Sequence, residues 1–303
     1  MRSVYFIFFA LLVIVTSCDI FNPPVQDYSN KILFTSTRSG SDQLYIMDPD
    51  GTNIEQITDD EYAHSHGRWS PDASKIACRT DENSCTIGQP MLVIDLNNKQ
   101  ETLLYYGGMF EWHPYENKLI YDFLPFGEMG ALTTNIYTEI IRGTLIENDM
   151  YSNRKDMTPS YSPDGSLIAF SSNRDFYTTE ISARSELYLM NSDATNQHRI
   201  TFLETTNTLN PIWSSDQSKL FFNSEGNICR YDFADSTVST ICDTNEFAYV
   251  NPRLSPNNDK IIFIARTYDG SANTYLFISD IDGSNIHALI EDSTVTSCDW
   301  SKQ

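Results

Sequence analysis

The stretch YSPDGSLIAFSSNRD at Tyr161–Asp175 joins an aromatic residue, a Ser-Pro-Asp-Gly turn and an apolar run of β-forming residues. Proline fixes φ in such a turn and glycine accepts a left-handed conformation, so the chain is predicted to reverse here between two strands. The same design returns as WSPDASKIA from Trp69, WHPYENKLIY from Trp112, WSSDQSKLFF from Trp213, LSPNNDKIIF from Leu254 and a truncated WSKQ from Trp300. We call the first residue of each copy its anchor. Recurrence about every 40–50 residues is typical of repeat folds.

A second hairpin follows the turn in most copies. It is clearest in QLYIMDPDGTNIEQIT at 43–58, ELYLMNSDATNQHRIT at 186–201 and YLFISDIDGSNIHALI at 275–290. Each unit therefore holds four short antiparallel strands, which is the composition of one β-propeller blade. Six anchors predict an all-β, six-bladed β-propeller.

The two ends of the repeat region complement each other. KILFTSTR, from Lys31, matches the second strand of a blade, whereas the chain ends in TSCDWSKQ, which matches a first strand with nothing after it. We therefore predict that the C-terminal strand completes the N-terminal blade and closes the ring, which removes an exposed sheet edge.

These strings resemble the repeat of the TolB-type six-bladed β-propeller. The resemblance covers Lys31 to Gln303 and is most specific in Arg38, in Arg174, in the turn at 162–165 and in the hairpin at 48–53. It implies a propeller of the bacterial cell envelope. TolB itself carries an α/β domain before its propeller, whereas this chain has only a short polar segment there.

The N-terminal residues predict export and lipidation. One cation, Arg2, precedes an unbroken apolar run from Val4 to Val15, too short for a permanent membrane span and typical of a signal peptide. Val15-Thr16-Ser17-Cys18 resembles a bacterial lipobox, which implies a signal peptide at 1–17 and lipid on Cys18. Residues 18–30 are polar and contain a Pro-Pro pair, so they are predicted to form a tether. Residues 31–303 are predicted to form the propeller domain. An ordinary secretory signal is the alternative.

The charge composition of the chain restricts the classes of partner that it is expected to bind. The chain has 20 Lys+Arg against 41 Asp+Glu, a net charge of −21. That excess of acid disfavours nucleic acid, whose binding depends on basic residues. Beyond the lipid anchor, we expect an envelope protein as partner, no cofactor, and a monomeric propeller.

Five cysteines follow Cys18, and export places them in an oxidising compartment. Cys229 and Cys242 are centred on Asp235-Ser236, and Cys78 and Cys85 bracket Asp81-Glu82 in the same way. Tight hairpins would set each pair opposite, so two disulfides are predicted. The remaining Cys298 is expected to be a buried apolar residue.

Catalytic and metal-binding motifs are missing from the sequence. It contains no G-x-S-x-G, no H-E-x-x-H and no phosphate-binding glycine loop. The Asp-Gly tips of the hairpins at 48–53 and 280–285 lack the further acidic ligands of a calcium loop and fit hairpin turns better. We therefore expect no enzyme and no metal.

The candidate site is one mouth of the central channel, where the strands that enter the anchors should converge. Position three before each anchor holds His66, Met109, Thr158, Asn210, Asn251 and Ser297. Arg68, Glu111, Arg253 and Asp299 each directly precede an anchor and are expected to pair among themselves. His64 lies two residues before His66, and alternate strand residues share a face, so both rings are predicted to point together. A polar ring for a ligand or partner, simple channel lining, and a metal at His66 remain as alternative interpretations.

Our leading hypothesis is a lipid-anchored protein-binding or scaffold module without enzymatic activity. The alternative is a carbohydrate- or small-ligand-binding protein or enzyme that uses the channel mouth. Lyases of pectic oligosaccharides carry similar repeats, but on seven blades and with metal-binding histidines that have no counterparts here. A purely structural envelope protein is a third interpretation.

Overall fold

A computed structural model describes residues 26–82, 90–106, 108–123, 135–138, 143–146, 155–176, 184–203, 208–269, 271 and 273–302. These residues form β-strands and one short 3-10 turn at Arg174–Phe176, so the prediction of an all-β propeller is confirmed. Among them, no helix is long and apolar enough to cross a membrane. The predicted signal peptide, Cys18 and the first part of the tether lie outside the described residues.

The strands pair into six four-stranded antiparallel sheets, which we number by their order along the chain. Sheet 1 contains β1 (Ile32–Ser36), β2 (Gln43–Met47), β3 (Glu55–Gln56) and β24 (Val295–Trp300); sheet 2 contains β4 (His64–Trp69), β5 (Lys75–Thr80), β6 (Pro90–Asp95) and β7 (Glu101–Tyr106); sheet 3 contains β8 (Phe110–Trp112), β9 (Leu119–Phe123), β10 (Asn135–Thr138) and β11 (Gly143–Ile146). Sheet 4 contains β12 (Asp156–Tyr161), β13 (Leu167–Ser172), β14 (Glu186–Asn191) and β15 (His198–Arg199); sheet 5 contains β16 (Leu209–Trp213), β17 (Lys219–Ser224), β18 (Asn227–Asp232) and β19 (Thr237–Cys242); sheet 6 contains β20 (Phe247–Leu254), β21 (Lys260–Thr267), β22 (Thr274–Asp280) and β23 (His287–Ile290). In sheet 3, side chains are described only for β8 and residues 119–122.

The first strands of neighbouring sheets contact one another in sequence. β4 contacts β8, β8 contacts β12, β12 contacts β16, β16 contacts β20, β20 contacts β24, and β24 contacts β4. This series of contacts returns to its starting strand, and we refer to the space between these six strands as the central channel.

Sheet 1 takes its first strand from the C-terminal end of the chain. β24 pairs antiparallel with β1, with Trp300 opposite Ile32 and Cys298 opposite Phe34. Beyond the strand, the backbone N–H of Ser301 donates to the Lys31 carbonyl at 2.9 Å, and the Ser301 hydroxyl accepts from the Lys31 N–H at 2.8 Å. Trp300 Nε1 donates to Asn30 Oδ1 at 2.9 Å, so the last strand is bonded to the end of the tether as well.

The core lies between the sheets rather than inside any one of them. Alternate residues of β1 point to opposite faces, so Leu33 packs towards Ile76 of sheet 2 while Phe34 packs towards Ile262 of sheet 6. Because both faces are covered, β1 and β2 are buried at every position. Full burial of such an aliphatic or aromatic side chain contributes about 1.5–3 kcal/mol to stability.

The repeated turns are held by their own side chains. In the Ser-Pro-Asp-Gly turn, the Ser162 hydroxyl donates to Asp164 Oδ1 at 2.6 Å and Gly165 has a φ of 71°. In the hairpin at 48–53, Asn53 Nδ2 donates to Asp48 Oδ2 at 2.6 Å and the Thr52 hydroxyl donates to Asp50 Oδ1 at 2.6 Å. The carboxylates that could suggest an ion site are therefore engaged in turn hydrogen bonds.

The predicted disulfides are wrong. Cys229 and Cys242 are both free, because a bulge in the β18–β19 hairpin sets Cys229 opposite Thr240 and Cys242 opposite Ile228. The two thiols then lie in different core clusters, Cys229 towards sheet 4 and Cys242 towards sheet 6.

Cys78 is a free thiol as well, so the second predicted bond also fails; Cys85 lies outside the described residues. β5 continues to Thr80 and β6 begins only at Pro90, so Cys78 faces Leu92 across the sheet instead of a partner across a tight turn. The buried Cys298 agrees with its prediction as a small apolar residue.

Candidate functional site at the central channel

Four of the six first strands contain a β-bulge at the predicted ring position. The pairing register shifts between residues 65 and 68 in β4, 157 and 160 in β12, 209 and 212 in β16, and 250 and 253 in β20. Inside each shift one residue is left-handed: His66 has a φ of 57°, Thr158 50°, Asn210 57° and Asn251 54°. Asparagine visits this region readily, whereas a β-branched threonine does so only under constraint from its surroundings.

The bulges turn backbone N–H groups away from the strand ladder, and polar side chains accept from them. Asp122 Oδ2 accepts from the Thr158 N–H at 3.1 Å, and Thr158 Oγ1 accepts from the Asn210 N–H at 3.1 Å. Asn223 Oδ1 accepts from the Asn251 N–H at 3.4 Å. Each acceptor belongs to the sheet that precedes the sheet of its donor, so these hydrogen bonds link sheets 3, 4, 5 and 6 along the channel.

We call this layer the channel belt. It consists of the six predicted first-strand positions, His66, Met109, Thr158, Asn210, Asn251 and Ser297, with Thr35, Arg79, Asp122, Ser171 and Asn223 from the second strands. Asp122 is buried, and its second oxygen accepts from the Met109 N–H at 2.7 Å. Burial raises the pKa of Asp122 in spite of these bonds. Asn210 Nδ2 donates to Asn223 Oδ1 at 2.9 Å, and the hydroxyls of Thr35 and Ser297 are hydrogen-bonded at 2.8 Å.

The part of the belt in sheet 2 is basic. Arg79 donates from Nε to the Gly108 carbonyl at 2.9 Å, which links sheet 2 to sheet 3. His66 Nδ1 lies 3.1 Å from the Ser65 hydroxyl. Burial, helped by the charges of Arg79, Arg68, Arg266 and Arg253, lowers the pKa of His66 to about 3. His66 is therefore a neutral imidazole at physiological pH.

A second layer of side chains lies two residues beyond the channel belt on the same first strands, directly before the anchors. Here the structure brings together Arg68, Glu111, Arg253 and Asp299, which we call the charged quartet. Glu111 Oε2 lies 3.7 Å from Arg68 Nε and 3.6 Å from Arg253 Nη2, and Asp299 Oδ1 lies 3.2 Å from Arg253 Nε.

Backbone groups complete the quartet. Asp299 Oδ2 accepts from the Trp69 N–H at 2.7 Å, so the C-terminal strand is bonded to the anchor of sheet 2. Arg68 is only 2% exposed and donates from Nη1 to the Cys298 carbonyl at 3.2 Å. Burial lowers the pKa of Arg68 to about 10 and raises the pKa of Asp299.

Three members of the charged quartet form part of the wall of a cavity of about 270 Å³, which we call the anchor mouth. Glu111, Arg253 and Asp299 line it together with aromatic and proline residues of the anchors and turns: Trp112, Tyr161, Trp213, Trp300, Tyr115, Pro71, Pro114, Pro163 and Pro256. At this mouth Tyr115 is 73% exposed. The mouth therefore combines paired charges with apolar, largely rigid surfaces, a combination that suits recognition of a peptide or a small polar molecule.

His64 does not join this site. Its ring is buried, with Nε2 2.9 Å from Asp60 Oδ1 and Nδ1 4.0 Å from Cys78 Sγ. The bulge after Ser65 breaks the strand alternation on which a common face for His64 and His66 depends. Within the described part of the chain, no group of three or more His, Cys, Asp or Glu residues is arranged to hold a metal ion.

Sequence reasoning missed the second-strand members of the belt. Their signal is a polar residue at the fifth position of an otherwise apolar strand, as in KIACR, KLIYD and KLFFN. Arg79, Asp122 and Asn223 occupy that position, and all three bond to the backbone or side chains of the next sheet.

Comparison with known proteins gives a consistent result. Residues 111–303 match the family model of the TolB beta propeller domain. The fold is similar to TolB from Acinetobacter baumannii (TM-score 0.70, 20% identity, 91% of this chain and 67% of that one) and to a candidate TolB from Agrobacterium tumefaciens (0.64, 17%, 90% and 92%). It is also similar to an oligogalacturonate lyase in complex with manganese (0.55, 15%, 85% and 73%). At these identities the structures share a fold with the chain.

Proposed function

Because the chain belongs to the TolB β-propeller domain family, we propose that it is a protein-binding module of the bacterial cell envelope without enzymatic activity of its own. The anchor mouth carries this proposal. Its aromatic and proline surfaces surround charges that are already paired within the protein, so a partner segment meets a preformed surface with little charge left to neutralise. Aromatic anchors in preformed clefts account for much of the affinity in many protein interfaces.

We further propose that the six sheets act as the six blades of one closed ring. The pairing of β24 with β1 and the contact of β24 with β4 support this, since both join the C-terminal strand to the N-terminal part of the repeat. Such closure would keep the wall of the channel rigid while the turns around the mouth contact a partner.

Lipid on Cys18 would hold this module at a membrane. Support comes from the sequence alone: the apolar run, the small residues before Cys18 and the polar tether that follows. Two or more acyl chains suffice for stable anchoring without a spanning helix. Labelling of growing cells with a clickable fatty acid should mark the wild-type chain and leave the Cys18→Ala variant unlabelled.

A photo-crosslinking amino acid tests the protein-binding role in intact cells. It would replace Tyr115 at the rim of the anchor mouth and, as the matched control, Tyr268, which is 59% exposed and does not line the mouth. We expect one envelope protein to be crosslinked at position 115 and not at 268, and its yield to fall when Arg253→Gln perturbs the charged quartet. Equal crosslinking at both positions would contradict the proposal.

A carbohydrate- or small-ligand-binding role is the second candidate. Its support is the set of Trp and Tyr side chains beside charged groups in a cavity of about 270 Å³, and a fold shared with an oligogalacturonate lyase. Thermal unfolding with uronic oligosaccharides, with and without manganese, separates the candidates. A ligand-dependent rise in Tm that Arg253→Gln abolishes would favour this second function.

A further inference from the structure

The chain enters its first strand at the end of the propeller that carries the anchor mouth. β1 runs antiparallel to β24, with Ile32 opposite Trp300, and Trp300 lines the mouth. The Lys31 N–H donates to the Ser301 hydroxyl at 2.8 Å, and Asn30 Oδ1 accepts from Trp300 Nε1 at 2.9 Å. The residues just before β1 are therefore held against the anchor of sheet 1.

Tyr28 holds the chain at this end as well. It is only 5% exposed, and its ring packs on that of Trp69, the anchor of sheet 2, with the ring centroids 5.7 Å apart. Its carbonyl accepts from the Ser301 hydroxyl at 2.8 Å. It also shares a buried cluster with Ala73 and Leu96, which lie in turns at the anchor end of sheet 2. The described end of the tether is thus fixed beside the anchor mouth, remote from the channel belt.

The predicted lipid site is only a short length of chain away from this point. Cys18 is eight residues before Gln26, the first described residue. A fully extended chain advances at most about 3.6 Å per residue, so the two Cα atoms lie within about 29 Å of each other. Lipid on Cys18 would therefore keep the anchor end of the propeller close to the membrane.

The opposite orientation, with the channel belt towards the membrane, would need almost all of this reach. β24 has six residues, which span about 20 Å at the usual rise of a strand, and the turns at both ends of the sheet add to that height. The segment would have to run straight along the side of the propeller, from the anchor end to the belt end. The length of the tether therefore favours an anchor mouth that faces the membrane.

The wall of the anchor mouth indicates what kind of segment it can accept. Glu111, Arg253 and Asp299 are paired with one another, so these three groups do not require a charged partner. The rest of the wall consists mostly of tryptophan, tyrosine and proline side chains. Surfaces of this kind suit a segment with apolar and uncharged polar side chains.

We propose that the anchor mouth faces the membrane that holds Cys18, and that it binds an uncharged, partly apolar segment of a membrane-attached protein close to the point where that protein leaves the bilayer. Since both proteins are attached to one membrane, the segment meets the mouth at a high effective concentration. This proposal rests on the proposed lipidation and protein-binding function. It adds the orientation of the propeller and the position of the partner segment.

Energy transfer to a labelled membrane tests the orientation. The lipidated full chain, with a fluorescent amino acid in place of Tyr115 or Tyr268, is bound to preformed phosphatidylcholine vesicles whose head groups carry an acceptor dye. Tyr268 is the matched control, because it is also exposed and follows β21 at the end of the sheets opposite to the anchors. Since the two ends are separated by at least about 20 Å, transfer from position 115 is expected to be at least about twofold more efficient than transfer from position 268.

The energy-transfer results distinguish the orientation from the lipid attachment. Equal or stronger transfer from position 268 would overturn the orientation and leave the lipidation intact. The Cys18→Ala variant should show no transfer from either position, because it has no lipid. Absence of transfer in the wild-type chain as well would reject lipidation, and the orientation that depends on it would be rejected too.

The length of the tether tests where the partner segment comes from. A Gly-Ser linker of about 20 residues, inserted between Asn22 and Pro23, would let the propeller move away from the membrane and turn over. Crosslinking from position 115 in intact cells should then fall at least about threefold, because the effective concentration of a membrane-held segment falls as the linker lengthens. The matched control replaces residues 20–25 by the same number of Gly and Ser residues. It changes the sequence of the tether without changing its length, and it should keep the crosslink.

The crosslinking results distinguish this proposal from the protein-binding function. Unchanged crosslinking with the longer tether would overturn the membrane-attached partner and favour a soluble envelope protein. A crosslink to lipid in place of protein would overturn it as well. Absence of any crosslink at position 115 would reject the protein-binding function and the partner segment together, whereas the energy-transfer result would still decide the orientation.

Discussion

The channel belt and the charged quartet lie on the same first strands, two residues apart, yet they use polar groups in different ways. In the quartet, charged side chains pair with one another, and Asp299 and Arg68 also bond to backbone groups of neighbouring strands. In the belt, bulges place residues such as Thr158 and Asn251 in left-handed conformations, and second-strand side chains satisfy the backbone. The difference shows that one layer depends on charge pairing and the other on backbone shape. Substitutions in the two layers should therefore have effects of different size and kind.

The largest effect is expected in the quartet. Asp299→Ala removes the acceptor for the Trp69 N–H and leaves Arg253 and Arg68 to share Glu111. Removing one partner of a buried ion pair typically destabilises a protein by about 3–5 kcal/mol. We expect a loss of that size in the free energy of unfolding, measured by urea denaturation.

The control for Asp299→Ala is a pair that does not face the channel. Glu116 lies 2.9 Å from Lys118 but its side chain is 60% exposed. Glu116→Gln should change the free energy of unfolding by no more than about 1 kcal/mol, the usual range for surface pairs. Equal losses in the two variants would remove the distinction between a structural quartet and ordinary surface charges.

A smaller but definite loss is expected in the belt when an acceptor is weakened. Asp122→Asn keeps the shape of the side chain but presents an NH₂ group to either the Met109 or the Thr158 N–H. One buried donor then lacks an acceptor, which destabilises by about 1–3 kcal/mol. Urea denaturation measures this loss, with Asp269→Asn in an exposed turn as the matched control.

The same difference between the charged quartet and the channel belt determines how much of each could be predicted from the sequence. Turns such as Ser162–Gly165 and the apolar runs after them are local signals, because proline, glycine and alternation fix the backbone directly. These local signals were sufficient to predict an all-β propeller and the positions of the anchors. Arg68, Glu111, Arg253 and Asp299 were found as a set because each directly precedes an anchor.

The belt was harder because its conformation is set by neighbouring sheets. Histidine, threonine and asparagine occupy equivalent left-handed positions, and although histidine and asparagine are enriched in that region, Thr158 has no such preference, so residue type alone does not identify the series. The register of β18 with β19 was missed for a similar reason. No glycine marks the bulge at Ile228 and Cys229 in the sequence, and this bulge places Cys229 and Cys242 out of register with each other.

Acidification should distinguish His66 from the rest of the belt. Its pKa is about 3 in the folded protein against about 6.5 in an unfolded chain, so the unfolded state binds a proton that the folded state does not. Stability is therefore lost as pH falls below about 6.5, by about 1 kcal/mol between pH 7 and pH 5.5. The pH dependence of unfolding in His66→Asn should be flatter by that amount, and parallel curves for the two proteins would show that His66 titrates normally in the fold.

The smallest expected effect tests whether belt shape resides in the backbone. Within the described part of the chain Asn251 makes two hydrogen bonds, and both use its backbone: its N–H donates to Asn223 Oδ1, and its carbonyl accepts from Cys298 Sγ at 3.8 Å. Glycine keeps these groups and accepts a φ of 54° freely, so Asn251→Gly should change the free energy of unfolding by less than about 0.5 kcal/mol. Alanine keeps the same groups but not the left-handed preference, and Asn251→Ala should be destabilised by about 1–2 kcal/mol. If glycine is as destabilising as alanine, the asparagine side chain itself supports the channel, and the belt would then resemble the quartet in depending on side-chain contacts.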